Sequence, residues 1–198
     1  MNLEIVCAGI GGRGVLLAST IIIEAAVRAG FHAMASDEYG MSQRGGSVVS
    51  LVKIGASQSP LIGRENADIL LAFEESEFYR NLVFLKKGGL AIVNTAREVL
   101  PERINNLLVE RNNKCFLIAA DDIAKEKGMI QASNMAILGF FSYFGIGPYN
   151  RESLLETLKE RTKGKFLEKN VDVFQAGFRR AEDKVIVVQE KKMEDSLW

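Results

Sequence analysis

Six residues, GIGGRG from Gly9 to Gly14, separate an apolar run, LEIVCA (Leu3 to Ala8), from a long apolar stretch, Val15 to Arg28. No other feature restricts the fold as tightly. A short apolar run broken by glycines reads as a buried strand entering a tight turn. Val15 to Arg28 reads as a helix whose polar residues Thr20, Glu24 and Arg28 stand four apart and form one narrow stripe. Most of that helix must be covered, so the unit opens a layered α/β domain.

The rest of the chain repeats the alternation. Strands are predicted at Phe31 to Ser36, Ser47 to Ile54, Ala67 to Phe73, Leu90 to Asn94 and Cys115 to Ala119. Helices are predicted at Glu74 to Leu85 (closed by KKGG), from Pro101 to about Arg111, at Asn134 to Gly145, at Arg151 to Arg161 and at Phe166 to Asp183. KVIVV near the C-terminus reads as a strand followed by a charged tail. Strands alternating with helices predict an α/β fold, a three-layer α/β/α arrangement with a mostly parallel Rossmann-like sheet. At 198 residues, without repeat or linker, residues 1–198 are expected to form a single domain.

Equal numbers of basic and acidic residues give zero net charge, which argues against nucleic acid as the main partner. No run of about 18 apolar residues occurs, so no membrane span is expected. The N-terminus lacks the basic region of a signal peptide, and a cytoplasmic location follows by default. Cys7 and Cys115 lie far apart in apolar runs and read as reduced, buried thiols on strands. No C-x-x-C occurs, so no metal or iron–sulfur site is assigned to this chain.

Gly9, Gly11 and Gly14 fit G-x-G-x-x-G after a strand and before a helix, with Asp37 and Glu38 roughly 20 residues on. Glycines let an anion approach the backbone, and the helix N-terminus supplies amide donors and partial positive charge. Turn geometry alone accounts for the same glycines equally well. The single histidine, His32, stands in a predicted strand and reads as structural.

A second segment changes the reading. GIGGRGVLLAS is followed by EYGMSQRGGSVVSLVKIG (Glu38 to Gly55) and SPLI (Ser59 to Ile62), and then by ADILLAFEESEFYR, Asn134 before an apolar helix, and KFLEKNVDVFQAGF. With these segments the chain resembles, over nearly its whole length, the gamma-type subunit or catalytic domain of 2-oxoacid:ferredoxin oxidoreductases. Within that family it is most similar to the small beta subunit of indolepyruvate ferredoxin oxidoreductases. The R-G-G-S-V-V-S block is the most specific part of the resemblance.

The resemblance implies a subunit, inactive alone, of an enzyme that turns a 2-oxoacid, coenzyme A and oxidised ferredoxin into acyl-CoA, carbon dioxide and reduced ferredoxin. Thiamine diphosphate and iron–sulfur clusters are then carried by a large partner subunit. This chain would wall the active site and help position coenzyme A through Gly9, Gly11, Gly12 and Arg13 of the first loop and Ser42, Gln43, Arg44, Gly45 and Gly46 of the second, with no catalytic residue of its own. An arylpyruvate-type substrate is the preferred subclass. Arg44 has the fork geometry to pair with phosphate. The chain departs from the family in one place: it has G-G-R-G where G-G-Q-G is usual, so Arg13 either favours an anion or fills its site. The apolar helices at Val15 to Val27 and Met135 to Phe144 are either inner helices of the domain or part of the surface toward the large subunit, which in isolation would allow a homodimer. Two alternatives stay open: an autonomous NAD(P)-binding oxidoreductase using Asp37 or Glu38, and a non-catalytic interaction protein on the same fold.

Overall fold

In strand β1 (Leu3–Ile10), Leu3, Ile5 and Cys7 point to one side and Val6 and Ala8 to the other, and all five are buried. A strand apolar on both faces has to be covered on both. The computed structural model, which describes residues 1–40 and 45–195, shows the two covering layers. The sheet also contains β2 (Ala33–Tyr39), β3 (Ser47–Ile54), β4 (Ala67–Ala72), β5 (Leu85–Asn94) and β6 (Lys114–Ile118), in the order β2-β3-β1-β4-β5-β6. β1, β4, β5 and β6 are parallel neighbours. β3 is antiparallel to both β1 and β2, so it alone opposes the common direction.

The helices are α1 (Val15–Arg28), α2 (Glu75–Asn81), α3 (Glu102–Glu110), α4 (Ala120–Glu126), α5 (Ser133–Ser142), α6 (Arg151–Arg161) and α7 (Leu167–Asp195). α1 and α4 to α7 contribute to the larger apolar core, with Ile5, Cys7, Val52, Ile69, Leu71 and Ile92 of the sheet. Phe78 of α2 and Leu108 of α3 cover the other face over Val6, Ala8, Leu70, Ala91 and Val93. The architecture is therefore the expected three-layer α/β arrangement with a mostly parallel sheet.

Every residue of α5 is buried, including Ser133, Asn134 and Ser142. Its outer side lies directly against α7. A β-carbon on Gly139 would stand 1.9 Å from the Phe174 carbonyl oxygen, and one on Gly177 would stand 2.0 Å from that of Ala136. Only glycine at these two positions lets the helix backbones approach so closely.

Several expectations change. KKGG does not close a helix: α2 ends at Asn81, a short 3₁₀ turn follows, and Lys86 to Gly89 bulge within β5 while Lys86 reaches Asp68 of β4. KVIVV is not a strand, because α7 continues through it to Asp195. β2 starts at Ala33, so His32 precedes the strand and is exposed. The helix α4, too short to show a clear period, was not expected. Cys7 is fully buried on β1 and Cys115 half-buried on β6, both as free thiols. Burial raises both: Cys115 is pushed up to about 12 and Cys7 further.

Gly139→Ala and Gly177→Ala test the α5–α7 contact. Alanine gains up to about 1 kcal/mol in intrinsic helix propensity. Each variant should nevertheless lose about 1–3 kcal/mol net from overpacking, read as a lower urea midpoint at unchanged slope.

Candidate functional site: the loops at the carboxyl ends of the parallel strands

The three glycines of the motif have different reasons for being there. A β-carbon at Gly9 would lie 2.7 Å from Val15 Cγ2 and 3.0 Å from Phe73 Cβ, so Gly9 lets strand and helix pack. Gly14 has φ +69 and occupies the N-cap of α1, and a β-carbon there would meet Asn134 Nδ2 at 2.4 Å. That amide donates to the Gly14 carbonyl at 3.1 Å, while Asn134 Oδ1 accepts from the Met135 N–H. Gly11 donates its N–H to the Gly46 carbonyl at 2.8 Å, joining the first loop to the second.

Two glycines remain open. Gly12 at φ +95 and Gly45 at φ +76 both adopt the left-handed conformation, and a β-carbon on either would meet nothing within 4 Å. They are exposed beside the N-terminus of α1, which has no side-chain cap and no acid in its first turn. Uncapped amides and a positive helix end make this seam compatible with an anion. Beneath the exit of the second loop, Ser47 Oγ donates to the buried carboxylate of Glu77 at 2.7 Å, and Asn81 Nδ2 donates to the Glu77 carbonyl at 2.9 Å. Ser42, Gln43 and Arg44 lie outside the described residues.

Arg13 answers its own question differently. Its guanidinium reaches Glu74 at 3.0 Å and Asp121 at 2.9 Å. It thus ties the loop after β1 to those after β4 and β6, and it would contact an anion only by leaving these carboxylates. The crevice behind it, about 160 Å³, is lined by Glu74, Glu75, Asn94, Thr95, Asp121 and Asp122. Its four carboxylates outnumber the two arginines paired to them, Arg13 and Arg97, which disfavours phosphate there. Asp37 and Glu38 lie on the exposed edge strand β2, and β3 intervenes between it and β1. The ribose-binding acid of a dinucleotide site stands on the strand next to β1. Here the acids stand two strand spacings from β1, one spacing, roughly 5 Å, beyond that place. Among the described residues, no group of three or more potential metal ligands occurs, and no helix is long and apolar enough to cross a membrane.

Glu75 carries the network onward. Thr95 Oγ1 and the Tyr79 phenol donate to it, and Arg97 Nε pairs with it at 2.9 Å. The Thr95 bond first, then that of Tyr79, holds its carboxyl below the usual value. Burial and the bond to Glu75 push the Tyr79 phenol up to about 12. Sequence reasoning missed Glu74, Glu75, Thr95 and Asp121. The signal that would have found them is position: each closely follows the carboxyl end of a parallel strand.

A parallel-centred α/β sheet covered by helices on both faces defines a chain of the doubly wound class. The comparisons take it further. Residues 4–180 match the family described as pyruvate ferredoxin/flavodoxin oxidoreductase, and the chain belongs to that family. Indolepyruvate oxidoreductase subunit IorB of Archaeoglobus fulgidus is 34% identical over 194 residues, covering 91% of this chain and 96% of its own. The gamma subunit of a keto/oxoacid ferredoxin oxidoreductase from Geobacter sulfurreducens superposes with a TM-score of 0.72 at 27% identity, over 91% of this chain and 99% of that one. A 2-oxoglutarate:ferredoxin oxidoreductase from Magnetococcus marinus, solved with 2-oxoglutarate, coenzyme A and succinyl-CoA, shares the fold at a TM-score of 0.75 and 22% identity. The likeness covers 92% of this chain and 31% of that one. The chain is thus related to subunits of 2-oxoacid oxidoreductases.

Two predictions follow from the site. Arg13→Gln should lower stability by about 1 kcal/mol, because both ion pairs are partly exposed. The gap to the parent should narrow in about 1 M salt, read by urea unfolding. Thr95→Val should raise the Glu75 carboxyl toward its ordinary value, read by carboxyl-carbon NMR. A depressed folded value contributes stability above the unfolded value and loses it as pH falls through the folded one. The variant should therefore be less stable than the parent near neutral pH, and the part of that deficit due to the Glu75 charge should vanish once the pH lies below the folded value.

Proposed function

We propose that this chain is the gamma-type subunit of a thiamine diphosphate-dependent 2-oxoacid:ferredoxin oxidoreductase, acting on an arylpyruvate-type acid, and that it helps hold coenzyme A at the active site. Family membership and the indolepyruvate oxidoreductase relatives support the reaction class. The observation that carries the ligand role is the seam itself: two loops joined by the Gly11–Gly46 bond, with open left-handed glycines beside an uncapped helix N-terminus. Backbone amides of Gly12 and Gly45 and the guanidinium of Arg44 would take phosphate oxygens of coenzyme A. Gly9 and Gly14 shape the seam, Arg13 fixes its flank, and Ser42, Gln43 and Gly46 complete the second loop.

Thiamine diphosphate and the iron–sulfur clusters belong in this reading to a large partner subunit, and ferredoxin accepts the electrons of the cytoplasmic complex. The 198 residues form one gamma-type domain, and the chain alone has no turnover. The NAD(P) alternative loses support from the displaced Asp37 and Glu38.

The test is affinity purification from the native host, followed by assay of 2-oxoacid- and coenzyme A-dependent viologen reduction. A large thiamine-binding chain should come down with the activity, and phenylpyruvate or indolepyruvate should outpace 2-oxoglutarate. In that complex Arg44→Ala should raise the coenzyme A KM about tenfold or more at intact assembly. Purification of the chain alone, with saturable NADH binding, would overturn the reading.

A further inference from the structure

A further cavity lies at the free edge of the sheet. It is a groove of about 580 Å³ along the free edge of β6, within the range of small-molecule sites. One wall is the segment Glu98 to Leu100 with Asn105 of α3, the other is α7, and Cys115, Phe116 and Leu117 form the floor. Val99, 70% exposed, and Leu100 make one wall partly apolar, while α7 presents Arg180, Asp183 and Lys184. The backbone of the floor is unpaired on this side: Ile118 turns its carbonyl toward Thr95, so Leu117 turns the other way, and its carbonyl accepts from Lys184 Nζ. Carbonyl and N–H of one strand residue project to the same side, so the Leu117 N–H faces the groove as well.

Lys184 is half-buried at the floor and has spent one of its three donors on that carbonyl. Arg180 stands beside it. Neither forms an ion pair within 4 Å among the described residues. Burial, and then Arg180, lowers the Lys184 ammonium from its ordinary value, so an anion placed there would relieve a standing cost. Glu98 and Asp183 also line the groove, but both are exposed at its mouth. Arg180 is exposed as well, and Glu98 acts electrostatically on Lys184, so the half-buried charge of the groove is Lys184, with Arg180 and the two acids toward solvent.

We propose that this groove binds a small apolar carboxylate, its anionic end on Lys184, Arg180 and the Leu117 N–H, and its body along Val99, Leu100 and Phe116. The edge of β6 is closed to a pairing strand by the same Lys184, which favours a compact ligand over an added strand. The site is separate from the glycine seam, and its test does not depend on the oxidoreductase reading.

The probes are phenylacetate and its neutral isostere phenylacetamide, titrated into the full chain and followed by amide NMR. Phenylacetate should bind saturably with the largest shifts at Cys115 and Leu117, and phenylacetamide roughly tenfold or more weakly. Lys184→Met keeps the apolar stem and should weaken phenylacetate by a similar factor without changing phenylacetamide. Arg180→Gln, at the more exposed of the two cations, supplies the same comparison should Lys184→Met fail to fold. Equal affinity for both probes, shifts centred elsewhere, or unchanged phenylacetate affinity in the folded variants would overturn the proposal.

Discussion

The side-chain amide of Asn134 is the contact on which the glycine seam depends. It is buried at the start of α5, and it reaches 120 residues back to hold the Gly14 carbonyl. Its position is fixed because α5 has nowhere to move. The sheet lies on one side, and α7 lies on the other at a separation that Gly139 and Gly177 alone allow. The left-handed turn at Gly14 is therefore set by core packing rather than by the loop's own residues. A tightly packed interior transmits such constraints because it has few voids to absorb a shift.

Electrostatics divides the carboxyl ends of the strands into two territories. Beside β1 and β3, open glycine amides and the uncapped end of α1 present donors without a compensating acid in the helix's first turn. Beside β4, β5 and β6, Glu74, Glu75, Asp121 and Asp122 present negative charge, and Arg13 marks the border by pairing with two of them. The usual expectation for a doubly wound sheet is a ligand in the crevice where strand order reverses. Here the order reverses between β1 and β4, where Arg13 meets Glu74, so the acids lie on the β4 side of that point and the glycine seam on the β1 side is the favourable approach for phosphate. The Arg13 guanidinium is thus accommodated by carboxylates already present across the crevice.

What could be read from the sequence was whatever is decided locally. β3 and α6 occur over the predicted residues, because one is a run of β-formers and the other a capped amphipathic segment in which Asn150 accepts from the Ser153 N–H. The glycine loop was equally legible, since a strand-to-helix turn needs residues tolerant of positive φ. KKGG misled because its role depends on Asp68, which the bulge brings to Lys86 across the parallel pair. The β-branched KVIVV run misled because it continues a helix already docked on α5. The partners of Arg13 were illegible for the same reason: they stand 61 and 108 residues away, and only the sheet order makes them neighbours.

The same sheet order sets the distance between the seam and the groove. The seam lies where β1 meets β3, and β6 is three strands further on, roughly 15 Å away. A small ligand in one cannot touch a ligand in the other. The ground between them is nonetheless continuous: Glu98 to Leu100 wall the groove, Arg97 pairs with Glu75, and its neighbour Glu74 pairs with Arg13 at the flank of the glycine loop. The links are two ion pairs joined by short stretches of chain, all at the ends of strands, where local opening costs least. Adjacency alone does not make such a path a coupling. It does place any motion of the β5–α3 loop, from whatever cause, two ion pairs from the seam, while the strands and α5 beneath stay fixed by their packing.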